Sequence, residues 1–208
     1  MLAIIDYDAG NLTSVQLAFE AVDVPVVVTR DPRVILGADR VVFPGVGAAG
    51  AAMASLRRLG LCDVVREAAG RGRPFLGICL GTQIILTHSE EDNGVETLDM
   101  IPGGTRLFHA PHALCKIPQM GWNTVRFTTE HRILAGIEDG SEFYFVHSYY
   151  PAPADESVVL GRTEYAGIGF ASVLASKNIV ATQFHPEKSG RIGLRLLANF
   201  AAWDGAPC

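Results

Sequence analysis

A cysteine between two glycines, Gly77-Ile78-Cys79-Leu80-Gly81, stands where an apolar run gives way to a helix-forming one. That order predicts a nucleophile elbow: a strand turns sharply into a helix, and the central residue is held in a strained conformation for which only flanking glycines leave room. A thiol placed there stands clear of the sheet and faces a helix N-terminus, a setting that favours thiolate. The amide of Leu80 would point at an oxyanion developing on a substrate carbonyl. The same spacing also suits an ordinary turn that buries a structural cysteine.

A nucleophilic thiol needs a base, and the base needs an orienting group. Of six histidines, His88 is expected on the helix leaving the elbow, pointing away from its tip, and His109, His112 and His131 fall in loops or strand ends with no adjacent carboxylate that suggests a relay. His147 and His185 each follow a strongly apolar strand, where open α/β sheets collect catalytic groups. In Gln183-Phe184-His185-Pro186-Glu187, Pro186 stops the strand, so Glu187 can fold back to the imidazole. The residues alone favour His185 and leave His147 open.

The elements that must position these groups alternate along the first half of the chain. Leu2 to Asp6 reads as a strand, and Leu12, Val15, Phe19 and Val22 mark one helical face. Val24 to Thr29 and Val41 to Phe43 read as further strands. A single helix is expected through Leu56, Leu61 and Val65. Strand, helix, strand at this spacing requires a parallel crossover, hence a layered α/β sheet. Beyond the solvated stretch 90 to 94, Thr105 to His109, Asn123 to Thr128 and Glu142 to Val146 read as short strands. Val158 to Glu164, Phe170 to Ser176 and Asn178 to Phe184 continue an antiparallel extension, and a last helix starts at Gly190. The expected fold is α/β: one domain over 1 to 208 with an open, mostly parallel sheet, flanking helices and an antiparallel extension.

Gly45-Val46-Gly47-Ala48-Ala49-Gly50 matches the Gly-x-Gly-x-x-Gly dinucleotide pattern. Pro44 opens this turn, it follows the third strand rather than the first, and no acidic strand end appears at the expected distance. A mobile glycine loop whose Val46 and Gly47 amides supply a second oxyanion donor is the better reading, with a plain tight turn as its alternative.

Composition narrows the function classes. Charged residues are 19% of 208 and the net charge is −5, without a basic run for tracking a phosphate backbone, so no nucleic-acid partner is expected. The most apolar stretch, 41 to 56, carries Pro44 and three glycines and is too short to span a bilayer. No basic leader opens the chain, so no signal peptide is expected. Cys62, Cys79, Cys115 and Cys208 show no metal spacing. No metal or cofactor is expected, and a reducing, cytoplasmic setting is.

Pro44-Gly45-Val46-Gly47, Gly77 to Gln83 and Gln183 to Ser189, in this order, resemble class I (triad type) glutamine amidotransferases, whose fold is flavodoxin-like. Asp6-Tyr7 with Gly10-Asn11-Leu12, Pro118 to Asn123, Tyr144 to Tyr149, and Gly193-Leu194 through Asn199-Phe200 are similar to the branch formed by glutaminase subunits of imidazole glycerol phosphate synthases. Nearly the whole chain is covered. The resemblance implies that Cys79 attacks the glutamine side-chain amide, that His185 is base and acid, and that Glu187 orients it. It implies an oxyanion hole from Leu80, Val46 and Gly47, and substrate contacts from Gln83, Gly47, Ser148 and Tyr149. It also implies a (β/α)8 cyclase subunit as partner, in a heterodimer that receives the ammonia, with Asn11, Trp122, Asn123 and Lys188 facing it. A ligand on that partner is expected to gate the 45 to 47 loop. Asp8-Ala9, Gln119 and residues 94 to 99 depart from the branch's usual pattern, none of them in the triad. The same triad would serve a glutaminase with another acceptor, and a binding or regulatory module would keep Cys79 as a structural thiol.

Overall fold

A computed structural model describes residues 1–109 and 116–207. His112, Cys115 and Cys208, considered above as a histidine and as thiols, lie outside the described residues. The parallel half begins with four apolar strands, β1 (Leu2–Ile5), β2 (Val26–Thr29), β3 (Arg40–Gly45) and β4 (Phe75–Cys79). All four residues of β1, Leu-Ala-Ile-Ile, are buried. Alternation along the strand sends Ala3 and Ile5 into one apolar layer and Leu2 and Ile4 into the other. Helices α1 (Leu12–Glu20) and α6 (Gly190–Ala202) close the layer holding Leu2 and Ile4, with Phe19 and Phe200 6.4 Å apart at their contact. Helices α2 (Pro32–Gly37), α3 (Ala49–Arg58), α4 (Cys62–Gly70) and α5 (Leu80–Ile84) close the opposite layer.

The later strands are β5 (His88–Ser89), β6 (Val95–Glu96), β7 (Gly103–Leu107), β8 (Gln119–Thr124), β9 (Arg126–Phe127), β10 (Glu142–His147), β11 (Tyr149–Pro153), β12 (Val159–Tyr165), β13 (Ile168–Ser176) and β14 (Ile179–Thr182). Among the described residues the main sheet runs β2-β1-β3-β4-β14-β13-β12-β9. Its first five strands are parallel and the rest antiparallel. The mostly parallel sheet with an antiparallel extension is therefore present. Strand β14 joins the halves: Thr182 is registered with Ile78 on one side and Val173 on the other. Smaller sheets, β11-β7-β5-β6 and β10-β8, stand beside it.

Three expectations need correction. The helix anticipated through Leu56, Leu61 and Val65 is two helices, broken at Gly60, whose φ of +65° suits glycine. Helix α2 was not anticipated, although Asp31 accepts from the Arg33 amide at 2.9 Å and Pro32 occupies the first turn, a legible N-terminus. The helix leaving the elbow stops at Ile84, and His88 lies on β5 instead. The amide of Leu98 takes the Ile84 carbonyl, and those of Met100 and Ile101 take the Ile85 carbonyl, occupying acceptors that a longer helix would use.

Candidate active site

Four neighbouring parallel strands, β1, β3, β4 and β14, deliver the site from the turns at their carboxyl ends. Cys79 ends β4 with φ 53° and ψ −109°, a conformation costly for any residue with a Cβ and the strained turn anticipated there. Gly45, the last residue of β3, is registered with Cys79. A Cβ on Gly81 would lie 1.9 Å from the Phe43 carbonyl oxygen, so the elbow sits directly on the neighbouring strand. Cys79 Sγ lies 4.0 Å from the Val146 carbonyl oxygen and 3.7 Å from Gln183 Nε2. The Gln183 contact was not anticipated, although Gln183 opens the Gln-Phe-His-Pro-Glu stretch.

His185 is buried where β14 gives way to the turn Pro186–Lys188. Its amide donates to the Tyr144 carbonyl at 2.9 Å, and its carbonyl accepts from Ser189 Oγ at 2.6 Å, so the backbone is clamped from both sides. Nδ1 donates to Glu187 Oε1 at 2.7 Å. That bond leaves Nε2 without a hydrogen-bond partner among the described residues, open to the cavity as the nitrogen that would give up its proton. Burial pulls the imidazole pKa down, but the charge of Cys79 and then the Glu187 carboxylate outweigh it and carry it to about 10. Structure therefore brings Cys79, His185 and Glu187 into one site.

The cavity beside Cys79 holds about 260 Å³ and is lined by Val46, Gly47, Leu80, Gln83, Ser148, Tyr149 and His185, together with Glu91, Pro118, Val146 and His147. Every residue anticipated for the oxyanion and for the substrate reaches it. Gln83 Nε2, however, already donates to the Tyr149 carbonyl at 2.9 Å and to Gln183 Oε1 at 3.0 Å, so its donors hold the cavity wall together. A larger cleft of about 660 Å³ between Phe127 and Asp139 contains no cysteine or serine and is remote from the strand ends that carry Cys79 and His185.

Glu91 was missed because its role is set by packing rather than by spacing. Its Oε2 accepts from the Ala49 amide at 2.6 Å, while Asp92 Oδ2 accepts from the Gly50 amide at 3.1 Å. Two carboxylates thus cap α3 from another segment and occupy the place a pyrophosphate would need, which removes the dinucleotide reading of Gly45 to Gly50. Burial, with the Asp92 charge adding to it, raises the Glu91 pKa against the lowering effect of the Ala49 amide.

Of the residues expected to face a partner, Trp122 is 56% exposed, packed edge-on against Tyr144, and Lys188 is exposed. Asn123, on β8, is tied to the main sheet, donating to the Glu164 carbonyl of β12 at 3.0 Å. Asn11 is turned inward: its Nδ2 donates to Glu187 Oε1 at 2.6 Å.

His147 lies in the cavity wall among Phe108, Phe145 and Phe170, with Nδ1 donating to the Tyr149 carbonyl at 2.7 Å. Burial drives its pKa down to about 4, the Tyr149 carbonyl opposing and the His185 charge assisting. A neutral imidazole cannot share the work of a protonated His185. The unfolded chain takes up a proton near pH 6.5 and the folded chain only near 4, so stability falls as pH drops through that window. A shift of this size corresponds to about 3 kcal/mol at pH 4 and below. Urea unfolding at pH 7 and pH 4 should show His147→Phe losing about 3 kcal/mol less than the wild type over that interval. Equal losses would show that His147 is not held neutral by the fold.

The chain matches the family described as glutamine amidotransferase class-I over residues 3–202. It is 48% identical to the imidazole glycerol phosphate synthase subunit HisH of Chloroflexus aurantiacus, covering 99% of this chain and 97% of that one. It is 51% identical to the subunit of the same name from Nitratidesulfovibrio vulgaris, covering 96% and 95%. A crystal structure of a glutamine amidotransferase superimposes with a TM-score of 0.73 at 15% identity, covering 97% of this chain and 99% of that one. The PurLQS structure from Thermotoga maritima gives 0.71 at 17%, covering 97% of each chain.

Proposed function

The chain belongs to the class I glutamine amidotransferase family, and from that premise we infer that it is the glutaminase subunit of an imidazole glycerol phosphate synthase, with Cys79, His185 and Glu187 as its triad. One observation carries the assignment of roles: an elbow thiol in a strained turn shares a cavity with a buried histidine whose far nitrogen is held by a carboxylate at 2.7 Å.

Cys79 Sγ attacks the side-chain amide carbon of glutamine, and the carbonyl π electrons move to oxygen. The Leu80 amide and the amides of Val46 and Gly47 receive that oxyanion; one such donor contributes about 3 to 4 kcal/mol. The C–N bond breaks as His185 Nε2 gives its proton to nitrogen, so ammonia leaves and a thioester remains. Water then attacks the thioester carbon, His185 takes its proton, and the C–S bond breaks to release glutamate. Glu187 keeps Nδ1 protonated throughout and stabilises the imidazolium. In the same cavity lining, Glu91 suits the α-ammonium of the substrate, and the backbone of Gly47, Ser148 and Tyr149 its carboxylate.

Ammonia released here has no acceptor in this chain. A (β/α)8 cyclase subunit is the proposed recipient, in a cytoplasmic heterodimer, and exposed Trp122 and Lys188 are placed to meet it. No helix among the described residues is long and apolar enough to cross a membrane. The test measures glutamate release by the pure chain, alone and with the cyclase subunit carrying its ribonucleotide, for the wild type and for Glu91→Gln. Partner-stimulated release is expected, with Glu91→Gln raising KM about tenfold or more at nearly unchanged kcat. Release that the cyclase leaves unchanged would move the search to another synthase, and an unchanged KM would remove Glu91 from substrate recognition.

A further inference from the structure

We propose that Asn11 is a positioning residue of the triad, its side-chain amide fixing the Glu187 carboxylate so that Oε1 stays on His185 Nδ1. This rests on the reading of Cys79, His185 and Glu187 as the catalytic groups. Glu187 lies two residues beyond His185 on a short turn, and nothing in that turn dictates the rotation of its carboxylate. The structure supplies the missing constraint from the turn before α1, 176 residues away in the chain: Asn11 Nδ2 and His185 Nδ1 both donate to Oε1, at 2.6 and 2.7 Å. Oε2 is buried and has no hydrogen-bond partner among the described residues, so the grip on the carboxylate is through one oxygen.

The conformation of Asn11 shows what its side chain is used for. Asn11 occupies the N-cap position of α1, where asparagine ordinarily accepts a hydrogen bond from the first turn of its own helix. Here no side-chain capping bond forms, and the residue sits in the left-handed region at φ 70°. The side chain is directed at Glu187 instead, leaving the helix end uncapped. A second consequence concerns charge: a neutral amide donor holds the carboxylate without neutralising it, so the full negative charge remains opposite the imidazole. The groups facing the His185–Glu187 pair are then Cys79 from the elbow, His147 from β10 and Asn11 from the turn before α1.

The alternative role, a helix cap, makes the opposite prediction for one substitution. Aspartate caps helices as well as asparagine does, but at position 11 it would place a second carboxylate against Glu187 and donate nothing to it. Asn11→Ala is expected to lower kcat for glutamine hydrolysis about tenfold, and Asn11→Asp about a hundredfold at pH 8, both with KM within about twofold, as hydrogen bonds to charged groups dictate. The Asn11→Asp loss should shrink toward pH 5, where the paired carboxylates share a proton. In the Glu187→Gln background, Asn11→Ala should cost little more, because the two residues act as one unit.

A readout independent of turnover is alkylation of Cys79 by iodoacetamide, followed by mass spectrometry of its peptide across pH. Its midpoint is expected to rise by about one unit in Asn11→Ala, because a loosened Glu187 leaves His185 less able to hold the thiolate. An Asn11→Asp enzyme with wild-type kcat and alkylation profile would make Asn11 a cap and overturn the proposal. So would additive losses in the double variant. A folded wild-type chain with no glutaminase activity, either alone or with the cyclase subunit and its ribonucleotide, whose alkylation midpoint nevertheless shifts in Asn11→Ala would keep the positioning role and remove the glutaminase reading instead.

Discussion

Cys79→Ala is expected to lower kcat for glutamine hydrolysis by about 10⁴-fold or more while leaving the protein folded. The size follows from what remains. Without the thiol no thioester forms, and His185 has only water to activate against an amide. Oxyanion donors and substrate binding still act, which is why the loss is large rather than total. The fold is expected to tolerate the change. Alanine keeps the Cβ that already meets φ 53°, so the strain of the turn is not altered, and the sulfur's hydrogen bonds with Gln183 and the Val146 carbonyl are long, at 3.7 and 4.0 Å. Glutamate release and urea unfolding on the same preparation separate the two effects. Glutamate release retained by folded Cys79→Ala would make the thiol structural and place the nucleophile elsewhere, whereas no release from the folded wild type with its cyclase would leave a binding or regulatory module.

Gly81→Ala should produce the largest loss of stability among the glycine substitutions at the elbow. Its added methyl would meet the Phe43 carbonyl oxygen at 1.9 Å. That oxygen belongs to a buried strand paired with β4, so no flexible side chain can yield, and β3 and the elbow must separate. Overpacking against backbone of this kind exceeds the usual 1 to 3 kcal/mol, and about 4 kcal/mol or outright insolubility is the expected result. Gly47→Ala is the instructive contrast. A Cβ there meets nothing within 4 Å, so only its φ of +94° is costly, at roughly 1 to 2 kcal/mol. That variant should stay folded and lose kcat through a displaced oxyanion loop. A Gly81→Ala protein within 1 kcal/mol of wild type in urea unfolding would mean that the elbow does not rest on β3 as described.

What was legible in the sequence was what local chemistry writes. Gly77 and Gly81 around Cys79 announce a turn that only small neighbours allow, and Pro186 ends a strand so that Glu187 can return to His185. The parallel sheet was readable from runs such as Leu2 to Ile5, buried on both faces. Helix α2 was equally written, in Asp31-Pro32, and was overlooked. The length of α5 was not written locally: Leu98, Met100 and Ile101 end it from a distant segment, which moved His88 onto a strand. Glu91 and Asn11 were obscure for the same reason. Their side chains take meaning from Ala49, 42 residues away, and from Glu187, 176 residues away.

The place of β14 between β4 and β13 has a consequence for how this protein is made. The strand that ends in the nucleophile is complete once residue 79 has been synthesised, but the strand that completes its hydrogen bonding, and brings the base, spans residues 179–182. For the intervening hundred residues of translation, β4 is an apolar sheet edge and its thiol has no imidazole beside it. Such an edge invites pairing with other chains, and the long separation makes its closure slow. A nascent chain is therefore vulnerable to aggregation yet chemically silent toward glutamine. Both conditions end in one event, when the last strand inserts.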